Sequence, residues 1–258
     1  MPPVPTPPTA NNGRNRSLGI ASAAAVSKEV VAVKAEATAL NLMTVRNGAI
    51  GALLVAAALS LAVVASVGAS PGTALIDGIP QRGTVLGHKT AVVTLIQFED
   101  LACTHCADYM KDAFPTIVND YVKTGLVKVD FRGLGVVTRA SEPALRYTLA
   151  ASRQGKLWQV AELFYENQAK LNEVTTERGV KRLVRGVKGL DPIRLVADAK
   201  SVSVRRQVAA HAAEAMRRNV PGTPWFFVKI GTAAPKLVRP AAYDGESFSA
   251  ILDEALGR

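Results

Sequence analysis

The chain reads AVVTLIQFEDLACTHC over residues 91–106, and this stretch leads from an apolar run directly into a Cys-x-x-Cys pair. Residues 91–98 are apolar and rich in β-branched side chains, which predicts a strand buried on both faces. A helix that begins at the first cysteine places the sulfurs of Cys103 and Cys106 one turn apart, close enough to form a disulfide. The chain has no other cysteine, so we predict that the two thiols work as a redox couple.

The two thiols are predicted to have different roles. A thiol at a helix N-terminus lies beside unpaired backbone N–H groups and the positive end of the helix dipole, both of which favour an anion. Such positions lower a thiol pKa from about 8.5 to roughly 3.5–7.5. Cys103 is therefore the predicted nucleophile, and Cys106, one turn deeper, is the predicted resolving thiol.

Two other uses of the pair remain open. A structural zinc site needs four ligands, and the chain offers only three histidines, of which His105 lies inside the motif. A structural disulfide across so short a loop would constrain the unfolded chain very little. Redox activity is favoured over both, and we expect no metal and no cofactor beyond the Cys103–Cys106 disulfide.

The residues after the cysteines predict a βαβ unit. Apolar side chains recur at helical spacing over residues 110–121, where Pro115 interrupts the helix and predicts a kink. Residues 127–132 alternate apolar and charged side chains, as in a half-buried strand. The order strand, helix, strand at this spacing predicts a right-handed crossover.

A helical block and two further strands complete the domain. Residues 141–218 read as helices, one of which opens with Asp191 as its cap and proline at its first position. Strand patterns return at residues 225–230 and 236–239, and a final helix follows. We therefore expect an α/β fold of the order βαβ…ββα, with helices on both faces of a mixed sheet. The cysteines then lie at the carboxyl end of a central strand, where such folds place their sites.

An uncharged stretch rich in Ala, Leu and Val at residues 49–69 is long enough to cross a bilayer as one transmembrane helix. Residues 1–48 begin with a proline-rich segment and predict a disordered tail, cytoplasmic if translated. Residues 70–90 predict a linker with room for a short strand. Because oxidised cysteines persist outside the cytoplasm, we expect a single-pass membrane protein whose domain at 91–258 is extracytoplasmic.

Two alternatives to an uncleaved anchor follow from the same region. The small residues up to Ala69 are similar to a signal-peptidase site, and cleavage there would give a secreted protein. Residues 43–46 make a compact signal-peptide start, so translation from Met43 instead of Met1 is the second alternative.

The chain is basic, with a net charge of +10, which suits an acidic membrane surface or another polyanion. The densest basic run, at residues 178–188, is interleaved with valine and leucine and predicts an amphipathic helix with a solvated face. Because no aromatic side chains lie between these charges, nucleic-acid binding is not expected.

Four segments together carry the pattern of a known family. They are FEDLACTHC at 98–106, QGKLW at 154–158, FYENQ at 164–168 and VPGTPWFFV at 220–228. The chain resembles the DsbA-like branch of the thioredoxin superfamily, extracytoplasmic thiol–disulfide oxidoreductases with a helical domain inserted into a thioredoxin fold. The resemblance covers most of residues 91–258 and implies that fold, with the helical insertion at about 141–218.

The resemblance also implies a cis peptide bond between Thr223 and Pro224, beside the cysteines. Proline accepts the cis form at modest cost, and the Thr223 backbone stays free to pair with an extended substrate chain. His105 is expected to stabilise the Cys103 thiolate, which favours the reduced form and makes the disulfide oxidising. Common oxidases of this branch carry Pro-His between the cysteines, and Thr104 in place of that proline leaves the strength of oxidation open.

A second departure concerns proton transfer. Thioredoxin-like proteins usually carry a buried acid six residues before the first cysteine, and Gln97 occupies that position here. A neutral amide cannot shuttle the proton of the resolving thiol. Glu99 and Asp100 are the candidates that replace it, and the alternative is that both are solvated loop acids.

The function predicted from these features is a membrane-anchored dithiol oxidase that introduces disulfides into secreted proteins. Its substrates would be reduced or unfolded secreted proteins. A DsbB-like or quinone-linked membrane partner would reoxidise the pair, and the protein is expected to be a monomer. The alternatives are a disulfide reductase or isomerase, and a non-catalytic binding or chaperone module on a thioredoxin-like scaffold.

Overall fold

The computed structural model describes residues 74–258. The predicted tail at 1–48, the transmembrane span at 49–69, the cleavage site at Ala69 and the alternative start at Met43 all lie outside the described residues. Among residues 74–258, no helix combines the length and the apolar character that crossing a membrane requires.

The predicted mixed sheet is confirmed. It has the strand order β1-β2-β4-β3-β5-β6. The strands are β1 Gln81–Arg82, β2 Val85–Leu86, β3 Val93–Asp100, β4 Val127–Leu134, β5 Trp225–Ile230 and β6 Lys236–Val238. β3 runs parallel to β4 and antiparallel to β5, and every residue of β3 is buried, as predicted for a strand covered on both faces. The strand that leads to the cysteines is therefore central.

The end of β3 lies two residues later than predicted. The parallel ladder with β4 continues through the pairs Glu99–Gly133 and Asp100–Leu134, so both acids are strand residues. Each has 0% of its surface exposed. The interpretation of Glu99 and Asp100 as solvated loop acids is therefore wrong, because their polar side chains are satisfied inside the domain.

The helices surround this sheet on both faces. In chain order they are α1 Thr104–Asp112, α2 Phe114–Thr116, α3 Ser141–Ala151, α4 Leu157–Glu166, α5 Leu171–Val174, α6 Glu177–Leu183, α7 Pro192–Ala199, α8 Val202–Arg217 and α9 Gly245–Leu256. Ile96 and Phe98 of β3 pack with Ala215 of α8. Strand residues alternate between faces, so Gln97 and Glu99 point to the opposite face, which carries α1 and the cysteines.

The helix predicted at residues 110–121 is broken instead of kinked. The first helix ends at Ala113, and a new helical segment begins at Phe114 with Pro115 in its first turn, where a missing N–H costs nothing. The chain continues as a π-helical segment, Ile117–Val122.

Residues 141–218 form the helical insertion between β4 and β5. Trp158 of α4 stacks on Phe114 at a centroid distance of 5.3 Å and meets the edge of Phe131 in β4. Asp191 caps α7 by accepting from the next two backbone N–H groups, as predicted. The bases at 178–188 are exposed over buried valines, which confirms the amphipathic pattern.

Candidate active site

The site lies between the end of β3 and the start of α1. Cys103 is the N-cap of α1, with φ −79° and ψ 122°, and its backbone N–H bonds the carbonyl of Asp100 at 3.0 Å. Cys103 is 7% exposed and Cys106 is fully buried, and both are free thiols. Cys103 is thus the one residue of the pair that keeps any exposed surface.

The two thiols differ sharply in acidity. The pKa of Cys103 is lowered from 9.0 to about 5, and the largest cause is a hydrogen bond from the Cys106 thiol. Hydrogen bonds from the Thr223 side chain and the His105 backbone N–H lower this pKa further, whereas burial raises it. Burial is the largest cause that raises the pKa of Cys106, and its hydrogen bond with Cys103 and the charge of Glu99 raise it further. At neutral pH the dithiol form therefore holds one thiolate and one thiol.

Thr223 and Pro224 lie directly beside the nucleophile. The peptide bond between them is cis. The thiol of Cys103 donates to the carbonyl oxygen of Thr223 at 3.2 Å. Thr223 is partly exposed and Pro224 is buried, so a partly exposed backbone segment borders the reactive sulfur.

Thr104 and His105 form the exposed first turn of α1. Nδ1 of His105 lies 3.6 Å from a carboxylate oxygen of Asp108, and its ring centroid is 6.1 Å from that of Tyr243. A hydrogen bond from the His105 backbone N–H contributes to the lowered pKa of Cys103. The role predicted for the imidazole stays a prediction.

Glu99 is a buried acid whose charge interacts with those of both cysteines. The side-chain amide of Gln97 donates to one of its oxygens at 2.7 Å, and the hydroxyl of Tyr165 donates to the other. Burial is the main cause that raises the pKa of Glu99 to about 8, which the Tyr165 hydrogen bond opposes and the Cys103 charge reinforces. Gln97 in turn accepts from the Tyr109 hydroxyl at 2.8 Å. The amide and the acid are therefore parts of one network.

Asp100 has a different environment. One carboxylate oxygen accepts from the backbone N–H of Ala102 at 2.9 Å, and the other accepts from Val136 at 2.8 Å and Val137 at 3.1 Å. These three donors tie the loop before Cys103 to the loop after β4. Asp100 therefore holds these two loops together, and proton transfer by Asp100 stays a prediction.

Two residues of the site were not singled out by sequence reasoning. Tyr165 bonds Glu99, and the side-chain amide of Gln168 donates to the carbonyls of Leu101 and Cys103 at 2.9 Å each. Both belong to the segment FYENQ, whose match to the family was the only signal that could have found them. Across residues 74–258, no group of three or more His, Cys, Asp or Glu side chains is placed to hold a metal ion.

Comparisons with known proteins agree with this fold. A family model described as thioredoxin matches residues 81–244, which is more than half of the chain. A Bacillus cereus protein named "Probable disulfide bond formation protein D" is 23% identical over 175 residues, a match that covers 66% of this chain and 77% of that protein.

Solved structures share the fold. The crystal structure of BdbD from Bacillus subtilis in its oxidised form is 21% identical, with a TM-score of 0.59, covering 70% of this chain and 98% of that one. The crystal structure of Wolbachia pipientis alpha-DsbA1 is 16% identical, with a TM-score of 0.58, covering 67% and 90%. With its helical insertion and its pair of unequal thiols, the chain belongs to the thioredoxin family, shares its fold with structures titled DsbA, and is a thiol–disulfide oxidoreductase.

Proposed function

We propose that this oxidoreductase is an extracytoplasmic dithiol oxidase that introduces disulfide bonds into other proteins. The observation that carries the proposal is the low pKa of Cys103, about 5, beside a resolving thiol whose pKa is raised. When the reduced form of a pair is stabilised as a thiolate, the disulfide is readily reduced, so the oxidised form is a strong oxidant. The Bacillus cereus relative, named for disulfide bond formation, supports this direction.

The proposed reaction has two exchange steps. A substrate thiolate attacks the Cys103 sulfur, the Cys103–Cys106 bond breaks, and its electron pair leaves on Cys106. A second substrate thiolate then attacks the substrate sulfur of the mixed disulfide, forms the product disulfide and releases Cys103 as a thiolate. Two substrate thiols are oxidised, and the protein disulfide is reduced by two electrons. The low pKa of Cys103 makes it the better leaving group in the second step.

Glu99 is the proposed proton carrier for Cys106. At neutral pH this acid holds its proton, because its pKa is raised to about 8. When Cys106 leaves as a thiolate of high pKa, Glu99 donates a proton to it and later recovers one from solvent. In the reverse direction Glu99 accepts the proton as Cys106 attacks. Gln97 holds the acid in place and carries no proton itself.

The substrate is proposed to be an extended segment of a reduced or unfolded protein. Such a segment can pair with the Thr223 backbone while its cysteine approaches Cys103, because the Cys103 sulfur lies 3.2 Å from the Thr223 carbonyl oxygen. Thr104 and His105 lie exposed on the same turn and are proposed to border the bound chain.

A partner must take two electrons from the reduced pair, which releases the Cys106 proton as the disulfide forms, for turnover to continue. We propose a membrane protein of the DsbB-like or quinone-linked class, because the chain has no second cysteine pair. An anchor at residues 49–69 would hold a monomeric domain beside that partner at the extracytoplasmic membrane surface. Cleavage near Ala69, and hence a secreted form, is the alternative, and the intact mass of the native protein decides between them.

The reduction potential of the Cys103–Cys106 couple tests the proposal. We expect a value near that of a strong oxidase, about −120 mV, and a value near that of thioredoxin, about −270 mV, would assign the protein to the reductases instead. Cys103→Ser should abolish oxidation of a reduced model peptide. A variant that keeps the whole function of the wild type would indicate a binding or chaperone module.

A further inference from the structure

The helical insertion contacts the buried acid of the thiol site through a tyrosine hydroxyl. Tyr165, in the last turn of α4, donates to the Glu99 carboxyl, and the two residues are 66 positions apart in the chain. Its own surface is only 8% exposed. The hydroxyl therefore bonds the acid from the side of the insertion, opposite the strand neighbour Gln97.

The hydrogen bonds around Glu99 have a fixed direction. The Tyr109 hydroxyl donates to the oxygen of Gln97, which leaves the amide nitrogen of Gln97 facing Glu99, 2.7 Å from its carboxyl. With Tyr165 on the other oxygen, both carboxyl oxygens are held. A side chain bonded at both oxygens has no rotamer freedom left, so its distance from the cysteines is set by these two donors.

We infer that Tyr165 is a positioning residue that holds the Glu99 carboxyl for proton exchange with Cys106, so that the helical insertion takes part in the chemistry of the thioredoxin core. The inference rests on the proton role proposed above for Glu99. It adds that a tyrosine of the insertion, Tyr165, holds the Glu99 carboxyl in place for this role.

The ionisable groups that act on Glu99 come from two helices. Tyr165 belongs to α4, whereas Cys103, Cys106 and Tyr109 belong to α1. The partner of Glu99 on β4 is Gly133, which has no side chain. Among these groups, Tyr165 makes the largest contribution that stabilises the charged carboxylate. Removing its hydroxyl should therefore keep Glu99 protonated to higher pH.

The test follows the oxidation of the reduced protein by oxidised glutathione. The Cys103 thiolate attacks glutathione disulfide and releases one glutathione thiolate. Cys106 then attacks the Cys103 sulfur while its proton passes to Glu99, the protein disulfide forms, and a second glutathione thiolate leaves. Two electrons pass from the protein to glutathione. The first phase depends on Cys103, and the second depends on Glu99 as a base.

Tyr165→Phe keeps the ring and removes the hydroxyl. We expect the pH midpoint of the second phase to rise by about one unit, which is up to about tenfold in rate at neutral pH, because a hydrogen bond to a charged group is lost. The first phase should keep its pH profile. Tyr121→Phe is the matched control, since it removes a buried hydroxyl that bonds Asp253 and Ser249, outside this network. Equal profiles for the two variants would overturn the inference.

Glu99→Gln separates positioning from general damage. In this background Tyr165→Phe should change the second phase no further, because the acid that it positions is gone. A further loss of rate in the double variant would mean a structural role for Tyr165 and would overturn the inference. If Glu99→Gln itself leaves the second phase unchanged, the proton role proposed for Glu99 fails too. The oxidase proposal fails separately, on the reduction potential of the wild type.

Discussion

At the scale of single residues, Gln168 fixes the turn that makes Cys103 reactive. Its amide donates to the carbonyls of Leu101 and Cys103, which flank the start of α1. The Cys103 carbonyl also accepts from the backbone N–H of Ala107 in α1 at 3.2 Å. Gln168 therefore adds a donor from the insertion at the start of α1, beside the contacts that Asp100 makes there.

Gln168→Leu should lower the free energy of unfolding by about 1–3 kcal/mol, because two carbonyl acceptors lose a donor. It should also raise the pKa of Cys103, because the backbone N–H groups that face the sulfur lose their fixed position. Thiolate absorbance as a function of pH measures this pKa. Gln154→Leu is the control, since Gln154 bridges the backbone of Asp191 in the insertion. A pKa shift of the same size in both variants would contradict the assignment.

The thiol pair could be predicted from the sequence because its chemistry is local. Cys103 and Cys106 lie one turn apart, and a helix start after a buried strand is readable from neighbouring residues alone. The contacts of Tyr165 and Gln168 could not be predicted, because their partners lie 65 to 67 positions earlier. Only the packing of the insertion against β3 brings them together, and no spacing pattern records that packing.

At the scale of elements, α4 joins the insertion to the thioredoxin core. Trp158 in its first turn is 1% exposed, lies nearly parallel to the ring of Phe114 and meets the edge of Phe131. The same helix carries Tyr165 at its other end. The aromatic contacts at one end of α4 therefore hold in place the hydroxyl that bonds Glu99 at the other.

Trp158→Ala should cost about 3–5 kcal/mol of stability, because a large buried ring leaves a cavity between the insertion and the sheet. Trp225 offers a matched control, since these are the only two tryptophans in the chain. Trp225 is partly exposed and stacks with Arg239, so Trp225→Ala should cost roughly half as much. Urea unfolding of both variants measures the difference, and equal losses would show that α4 is not a main attachment of the insertion.

At the scale of the whole molecule, folding stability depends on pH through two buried groups whose effects have opposite signs. The folded pKa of Cys103 is lowered from 9.0 to about 5, so its stabilising effect is complete above pH 9 and is lost as pH falls through 5. The folded pKa of Glu99 is raised from 4.5 to about 8, so its stabilising effect is complete below pH 4.5 and is lost as pH rises through 8. Between pH 5 and 8 the two effects oppose each other in the dithiol form.

The disulfide form has no Cys103 thiolate, so only the effect of Glu99 remains in this pH range. The stability of the disulfide form should therefore fall from pH 5 to pH 8, whereas that of the dithiol form should change little. The gap between them, that is, the stability of the dithiol form relative to the disulfide form, should rise by at most about 1.4 kcal/mol per pH unit, because the Cys103 charge, which is present only in the dithiol form, also helps to raise the pKa of Glu99. Urea unfolding of each form at matched pH measures the gap. Glu99→Gln should flatten the profile of the disulfide form and leave the gap growing with pH, because Cys103 still titrates in the dithiol form. Parallel profiles for the two redox forms would mean that Cys103 is no thiolate at neutral pH, and the leaving-group step of the oxidase mechanism would lose its basis.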